Sequence, residues 1–254
     1  MKNKKSVTYA VVLIFLIWYG LYFFLESNII PSPITVIINF FSIFIPVILP
    51  HLAMSLYRIL TAIFLAVFFG VLLGLLIGMN KKIDQYISPV IYLIYPIPKI
   101  AFLPIFMLLF GLGDRSKIIL IMVIVIFQII VTTRDSVKNI NPEYFHSARS
   151  VGIKGLKVYK HVIIPAILPQ ILTALRITVG TSIAVLFYAE NFATQYGIGY
   201  YIMNSWIMVN YVDMFSGILA ISILGLLFFQ VIDIIEDRYC HWVKVGNEKS
   251  FKYK

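Results

Sequence analysis

The segment from Glu143 to Pro169, EYFHSARSVGIKGLKVYKHVIIPAILP, is the longest non-apolar run in a chain whose other long segments are strongly apolar. We call it the polar island. Three residues separate Ala148 from Gly152, and nine more separate Gly152 from the run that ends at Pro165. Because glycine permits sharp turns that a Cβ resists, we expect two short helices that meet at Gly152. Lys154, Lys157 and Lys160 recur at three-residue spacing and should share one face of the second helix.

The composition of the chain is that of a polytopic membrane protein. Hydrophobic residues make up 61% and charged residues 13%, whereas soluble domains carry about a quarter charged residues. The length of 254 residues allows about six helices of about 20 residues each, so the predicted fold class is all-α. The net charge of +10 needs no nucleic acid to explain it, since cytoplasmic membrane loops collect Lys and Arg.

Hydropathy and helix-breaking residues place the spans. We expect the six transmembrane helices at 7–25, 56–79, 86–110, 118–133, 166–190 and 214–235, followed by a polar tail at 236–254. The apolar segment Ile34–Leu49 is short and contains Pro46, with Pro50 just after it. These prolines predict an interfacial helix on the outer surface rather than a further span.

The basic residues indicate the orientation. Of the 21 Lys and Arg residues, 16 fall in the segments that alternate spans would place on one side, and the polar island is among them. Cytoplasmic loops carry such an excess. We therefore expect both termini and the polar island in the cytoplasm.

Small residues recur every fourth position in the second span, at Ala62, Ala66, Gly70, Gly74 and Gly78. In lipid, helices associate through close backbone approach at small residues. This stripe predicts a packing surface and not a ligand site.

The polar island resembles the EAA loop of ABC-transporter permeases, whose consensus is EAA, three residues, Gly, nine residues and I-x-L-P. Four further motifs occur in the family's order, namely Pro31-Ser32-Pro33, Tyr95-Pro96-Ile97-Pro98-Lys99, Phe110-Gly111-Leu112-Gly113 with Ser116-Lys117, and Ala189-Glu190 with Gly197-Ile198-Gly199-Tyr200. Together they resemble the sulfonate/nitrate/taurine branch of the binding-protein-dependent, type I importer permeases. The resemblance implies one transmembrane permease domain over residues 1–254.

The resemblance also implies roles and partners. The loop at about 143–165 would be the coupling helix that docks on a cytoplasmic ATPase subunit, through His146, Ser147, Ala148, Gly152, Lys154, Lys157 and Pro165. ATP and Mg would be bound by that ATPase, so we expect no cofactor in this chain. An external binding protein would deliver a small anionic solute, and a second permease subunit, in a homodimer, would complete the pathway. One departure is that the consensus Glu-Ala is His146-Ser147 here, and a histidine would make a weaker, pH-dependent contact.

Prolines and ionisable residues within spans are candidates for the translocation pathway, because broken helices and intramembrane charges often line transport routes. These candidates are Pro96, Pro98, Lys99, Gln128, Arg176 and Glu190. Lys99 and Arg176 would supply positive potential for an anion. The alternatives are an ordinary kinked span for the prolines, a structural role for Glu190, and for Arg176 either a structural interhelical contact or snorkelling to the inner interface.

Two other classes of function are weighed against an importer. The chain has no G-x-x-x-x-G-K-[ST] loop, so it is not itself expected to be the ATPase, and His146 and His161 lack the neighbours of a metal site. An integral-membrane transferase would need Asp-rich or His/Asp clusters, which the sequence does not show. An ATP-independent channel would leave the polar island unexplained. The sequence leaves open which solute of the branch is carried: sulfonate, nitrate, taurine, bicarbonate or a vitamin precursor.

Overall fold

The structure is a computed structural model that describes residues 4–25 and 29–242, and these residues contain helices and turns but no strand. Two compact units are present: Met1–Tyr57 with Phe187–Leu224, and Arg58–Leu186 with Gly225–Lys254. We refer to them as the first and second units. Residues 1–3, residues 26–28 and most of the predicted polar tail, from 243 onward, lie outside the described residues.

Eleven α-helices occur within the described ranges, together with two π segments at Phe44–Ile48 and Tyr159–Ile163 and a 3₁₀ turn at Lys99–Phe102. The α-helices are α1 (Lys4–Leu25), α2 (Pro33–Ile43), α3 (Leu49–Met79), α4 (Lys81–Ile94), α5 (Leu103–Phe110), α6 (Asp114–Lys138), α7 (Pro142–Ser150), α8 (Leu156–Val158), α9 (Ile164–Glu190), α10 (Ile198–Ile207) and α11 (Tyr211–Tyr239).

Five helical segments of the described chain are long and apolar enough to cross a membrane, and a sixth is obtained if α4 and α5 form one broken span. The axes of α4 and α5 differ by 81° across the proline-rich break. The predicted all-α membrane fold with about six spans is confirmed. The helices extend beyond the predicted bounds. α6, for example, has 25 residues, and α11 continues into the predicted tail as far as Tyr239.

The prediction that a helix ends at Pro46 and Pro50 is wrong. Residues Pro33–Met79 form one helical stretch of 47 residues. The π segment allows this, because the N–H of Leu49 bonds to the carbonyl of Phe44 and a π turn is one way in which a helix takes up a local break in its hydrogen bonding. α2 is also packed within the first unit, where Asn39 donates to Asp213 at 2.7 Å and to Ser216 at 3.1 Å.

The stripe of small residues packs α3 against α6 in the second unit. Ala62 and Ala66 are fully buried. A Cβ added at Gly74 would lie 2.5 Å from the Cβ of Thr133 and 2.9 Å from the carbonyl oxygen of Ile130. Gly70 and Gly78 meet Ile129 and Val137 in the same way, each at 2.9 Å. The stripe is therefore a packing surface, as predicted.

Replacing Gly74 with Ala should destabilise the folded permease, because the new methyl group meets the backbone of α6 and not only a movable side chain. Overpacking of this kind costs about 1–3 kcal/mol. The readout is the melting temperature of the protein purified in detergent. Gly180→Ala is the matched control, since a Cβ there has no atom within 4 Å. Equal melting temperatures for the two variants would contradict this packing.

Candidate functional site

The first helix of the polar island has defined signals at both ends. Asn141 caps α7 by accepting a hydrogen bond from the N–H of Glu143 at 2.9 Å. At the other end, Ile153 N–H bonds to Ala148 O at 2.9 Å, and Gly152 N–H bonds to Arg149 O at 3.0 Å. This pair of bonds is a Schellman motif, which needs a left-handed residue. Gly152 supplies it with φ of +80°, so the predicted turn is confirmed.

The second half of the polar island differs from the prediction. It is not a separate short helix, because the helical stretch Leu156–Glu190 continues through the π segment into α9. Gly155, with φ of +62° and ψ of −136°, delays the helix start to Leu156. Lys154 therefore lies before the helix, and the prediction that it shares a helix face with Lys157 and Lys160 is wrong. Ala148 and Gly152 share no helix face either, because Gly152 lies in the turn.

Most of the predicted coupling residues are exposed. His146, Ser147, Gly152, Lys154 and Lys157 are exposed, Pro165 is half-buried and Ala148 is buried. Three exposed apolar side chains of this segment were not predicted from the sequence. Their exposed fractions are 60% for Tyr144, 73% for Val151 and 85% for Leu156. Their apolar character within a polar segment was the available signal. Tyr144 and Val151 both line the same cavity as Ser147.

Two cavities of the second unit adjoin each other. The inner cavity, of about 1320 Å³, extends from polar-island residues such as Ser147 and His161 to Gln128 of α6. The bend cavity, of about 420 Å³, is lined by Lys99, Gln128 and residues of α6 and α9. Gln128 and Ile177 line both cavities. Among the predicted pathway residues, the structure therefore brings Lys99 and Gln128 together.

The predicted break at the prolines is present, and it forms one wall of the bend cavity. α4 ends at Ile94 and the 3₁₀ turn begins at Lys99. The ammonium of Lys99 donates to the carbonyl oxygens of Tyr95 at 2.8 Å and Ile94 at 3.2 Å. Pro96 and Pro98 have no N–H with which to continue the helix, so the lysine takes over carbonyls at the end of α4.

Arg176 is held by two carboxylates of α11 in the second unit. Its guanidinium lies 2.5 Å from Asp233 Oδ1 and 2.8 Å from Glu236 Oε2. The side chain is partly exposed, and such ion pairs are worth little in stability. Their geometry nevertheless favours the structural alternative for Arg176, which lines neither of the two cavities.

Glu190, the last residue of α9, belongs to the first unit, is fully buried and contacts the start of α10. The first N–H groups of a helix have no partner within it, and side chains satisfy them here. Gly199 N–H donates to Glu190 at 2.8 Å and Ile198 N–H to Ser55 at 2.8 Å, while Gly197 N–H donates to His51 at 3.0 Å. A carboxylate is also favoured at a helix N-terminus.

This cap of α10 combines Glu190, which the sequence singled out, with His51 and Ser55, which it did not. The hydroxyl of Ser55 donates to Glu190 at 2.8 Å. The side chains of α3 therefore bind both this carboxylate and the backbone N–H groups at the start of α10. His51 and Ser55 lie four apart near the start of a largely apolar helix, and this spacing was the signal for them. The geometry favours a structural role for Glu190.

Replacing Glu190 with Ala should destabilise the first unit, because the N–H of Gly199 and the hydroxyl of Ser55 then lose their acceptor. An unsatisfied buried group costs about 1–3 kcal/mol. Hydrogen exchange should accelerate at the amides of residues 197–199. Glu143→Ala, which removes an exposed carboxylate, is the control. If exchange in the loop is unchanged by Glu190→Ala, the proposed cap is wrong.

With this geometry established, the chain can be compared with known proteins. The sequence profile of the family described as "Binding-protein-dependent transport system inner membrane component" matches residues 66–241. The chain belongs to this family. That membership confirms the predicted ABC-transporter permease and the prediction of a transport component rather than an enzyme.

Similar proteins include permeases named for different solutes. The chain is 28% identical over 163 residues to the putative aliphatic sulfonates permease SsuC of Bacillus subtilis, covering 64% of this chain and 59% of that protein. It is 30% identical over 156 residues to the taurine permease TauC of Escherichia coli, covering 61% and 57%. A third is the formylaminopyrimidine permease ThiX of Halalkalibacterium halodurans, at 28% over 165 residues, covering 65% and 66%. The chain thus matches less than two thirds of the length of each of these relatives.

A solved structure supports the fold. The inward-facing methionine ABC transporter MetNI contains a chain that superposes with a TM-score of 0.60 at 19% identity, covering 76% of this chain and 97% of that chain. A second crystal form of MetNI gives a TM-score of 0.57 at 20% identity. At this level of identity the likeness concerns the fold, which is that of ABC importer permeases.

Proposed function

We propose that the chain is the permease subunit of an ATP-driven importer and that it forms the route for a small anion. In this proposal an external binding protein delivers the solute, and cytoplasmic ATPase subunits act through the loop at 143–165. The observation that carries the proposal is the exposed α7 with its Gly152 turn, which lines the inner cavity and belongs to a chain of the binding-protein-dependent family.

The surface of the polar island fits a partner that receives a short helix. α7 presents His146 and Ser147 to solvent, flanked by the exposed apolar groups of Tyr144 and Val151. Ala148 is buried beneath them and fixes the helix to its own unit. A short amphipathic helix that enters a groove is a recurrent mode of recognition. We assign the cleft of an ATPase subunit as that groove.

The connection between the polar island and α9 provides the lever. Phe145 of α7 packs against a buried core that contains Ile163 and Ile167. Because α7 and the base of α9 share this core, they should move together. α9 in turn supplies Ile177 to both cavities. ATP would drive transport by stabilising one arrangement of the polar island more than the other, and α9 would carry the change to the cavity walls.

The proposed solute class is a small anion. Aliphatic sulfonates and taurine, named for two of the relatives, contain a sulfonate group, and the bend cavity contains the ammonium of Lys99. The proposed second permease subunit is another copy of this chain.

The proposed location is the cell membrane, with the polar island in the cytoplasm. Leu156→Cys, which replaces an 85% exposed residue, should react with a membrane-impermeant thiol reagent only after the cells are permeabilised. Cys240 is replaced by Ala in this background. Met208→Cys, at a 70% exposed position on the predicted outer side, is the control and should react in intact cells. The reverse pattern would invert the topology.

Replacing Gly152 with Val should uncouple the permease from its ATPase. A β-branched residue at φ of +80° is strained by about 1–3 kcal/mol, and no neighbouring atom lies within 4 Å of the added Cβ. The defect therefore arises from the turn itself. We expect normal insertion, loss of ATPase co-purification and loss of hydrolysis stimulated by the binding protein.

Gly152→Asn is the matched control, because asparagine tolerates left-handed backbone conformations better than other residues with a side chain. It should retain most of the associated ATPase. Full association and full stimulated hydrolysis in Gly152→Val would show that the turn does not serve coupling.

A further inference from the structure

The charge of Lys99 is not neutralised by a carboxylate within the described ranges. The structure gives ion pairs to Arg58, Arg134 and Arg176. Among the described residues, the partners of Lys99 are backbone carbonyls and aromatic rings. Carbonyl dipoles stabilise a cation without cancelling its charge. A net positive charge therefore remains at the wall of the bend cavity.

The ammonium also has hydrogen-bonding capacity to spare. Two of its three N–H groups are used by Tyr95 and Ile94, while the third contact, to Ile97 O, is long at 3.5 Å. The ring centroid of Phe127 lies 4.7 Å from Nζ, and a cation near an aromatic face is held by the ring's quadrupole. Lys99 is thus kept at the cavity wall with one weakly used donor.

Gln128 supplies a second donor in the same cavity. The hydroxyl of Tyr95 donates to Gln128 Oε1 at 2.5 Å, which fixes the amide with its oxygen engaged. The structure shows no acceptor for the Nε2 group of this side chain among the described residues. The neighbouring hydroxyls are already committed, since Thr178 and Thr181 donate to carbonyls of α9.

The remaining lining of the bend cavity is largely apolar, with Ile100, Ile124, Val125 and Val185 beside Phe127. Its volume of about 420 Å³ falls within the range of about 300–1,000 Å³ that holds small molecules in proteins. Mostly apolar walls with a few placed polar groups are typical of such sites. The lining matches an ion with one charged end and a short apolar end.

We propose that the bend cavity binds a small organic anion of the alkanesulfonate type as it passes through the permease. The anionic group contacts Lys99 Nζ and Gln128 Nε2, and the alkyl part lies against Phe127. The site deepens the proposed function and rests on it for its place in transport. Because the carbonyls of α4 share the ammonium, binding is weak enough for release, as conduction requires.

Binding is tested with the full chain in lipid nanodiscs, by saturation-transfer difference NMR with ethanesulfonate as the probe. Ethyl methyl sulfone is its neutral counterpart and ethylammonium its cationic one. We expect ethanesulfonate to bind at least tenfold more tightly than either. Lys99→Met should weaken ethanesulfonate at least tenfold and leave the sulfone unchanged. Lys82→Met, which removes an exposed charge at the start of α4, should have no effect.

A second variant distinguishes anion binding by Lys99 from a purely structural role as a cap on the carbonyls of α4. Gln128→Met removes none of the hydrogen bonds from Lys99 to the backbone carbonyls and should still weaken ethanesulfonate severalfold, whereas Lys99→Arg should retain binding. Unchanged ethanesulfonate binding in both Lys99→Met and Gln128→Met, or equal binding of the sulfone by the wild type, would overturn the site.

Failure of this proposal is distinguishable from failure of the proposed function. ATPase co-purification is measured on the wild type and on the same variants. If the ATPase associates but ethanesulfonate binding does not depend on Lys99 or Gln128, the anion site is refuted and the proposed importer is not. Absence of the ATPase from the wild type would refute the importer, whatever the NMR result.

Discussion

Backbone groups freed where helices break in an apolar environment must find partners within the protein, because lipid offers none. The structure meets this requirement with polar side chains at two breaks. In the second unit, the ammonium of Lys99 donates to a backbone carbonyl at the end of α4. In the first unit, His51, Ser55 and Glu190 satisfy the start of α10. At both breaks, polar side chains bond to backbone groups that the helices leave without a partner.

The charged residues differ in whether contacts within the protein already engage their charge or leave it for a solute. Glu190 is fully buried and its carboxylate oxygens are engaged, so it holds the fold. Arg176 is occupied by two carboxylates. Lys99 faces a cavity and bonds only to neutral groups, so its charge acts beyond its own contacts. The break after α4 requires Lys99 as a hydrogen-bond donor and also forms one wall of the bend cavity. Lys99 therefore combines a structural role with the proposed role in transport.

The all-α membrane fold, the packing stripe and the Gly152 turn followed from the sequence, because each depends on local spacing or on hydropathy. The continuation of α2 through Pro46 into α3 and the late helix start after Lys154 did not. They depend on a π turn and on the φ of Gly155, which spacing does not encode. The adjacency of Lys99 and Gln128 depends on an 81° bend whose direction is set by packing. The polar cap of α10 joins residues over a hundred positions apart, beyond the reach of any local pattern.

The central claim is that α7 of the polar island contacts an ATPase. The most direct measurement is photo-cross-linking in cells from p-benzoylphenylalanine placed at Ser147, an exposed position of α7, followed by mass spectrometry of the adduct. We predict an adduct with a cytoplasmic protein that carries a G-x-x-x-x-G-K-[ST] loop, and no such adduct from the same probe at Met208. An adduct with an extracytoplasmic protein, or the same ATPase adduct from both positions, would contradict the account.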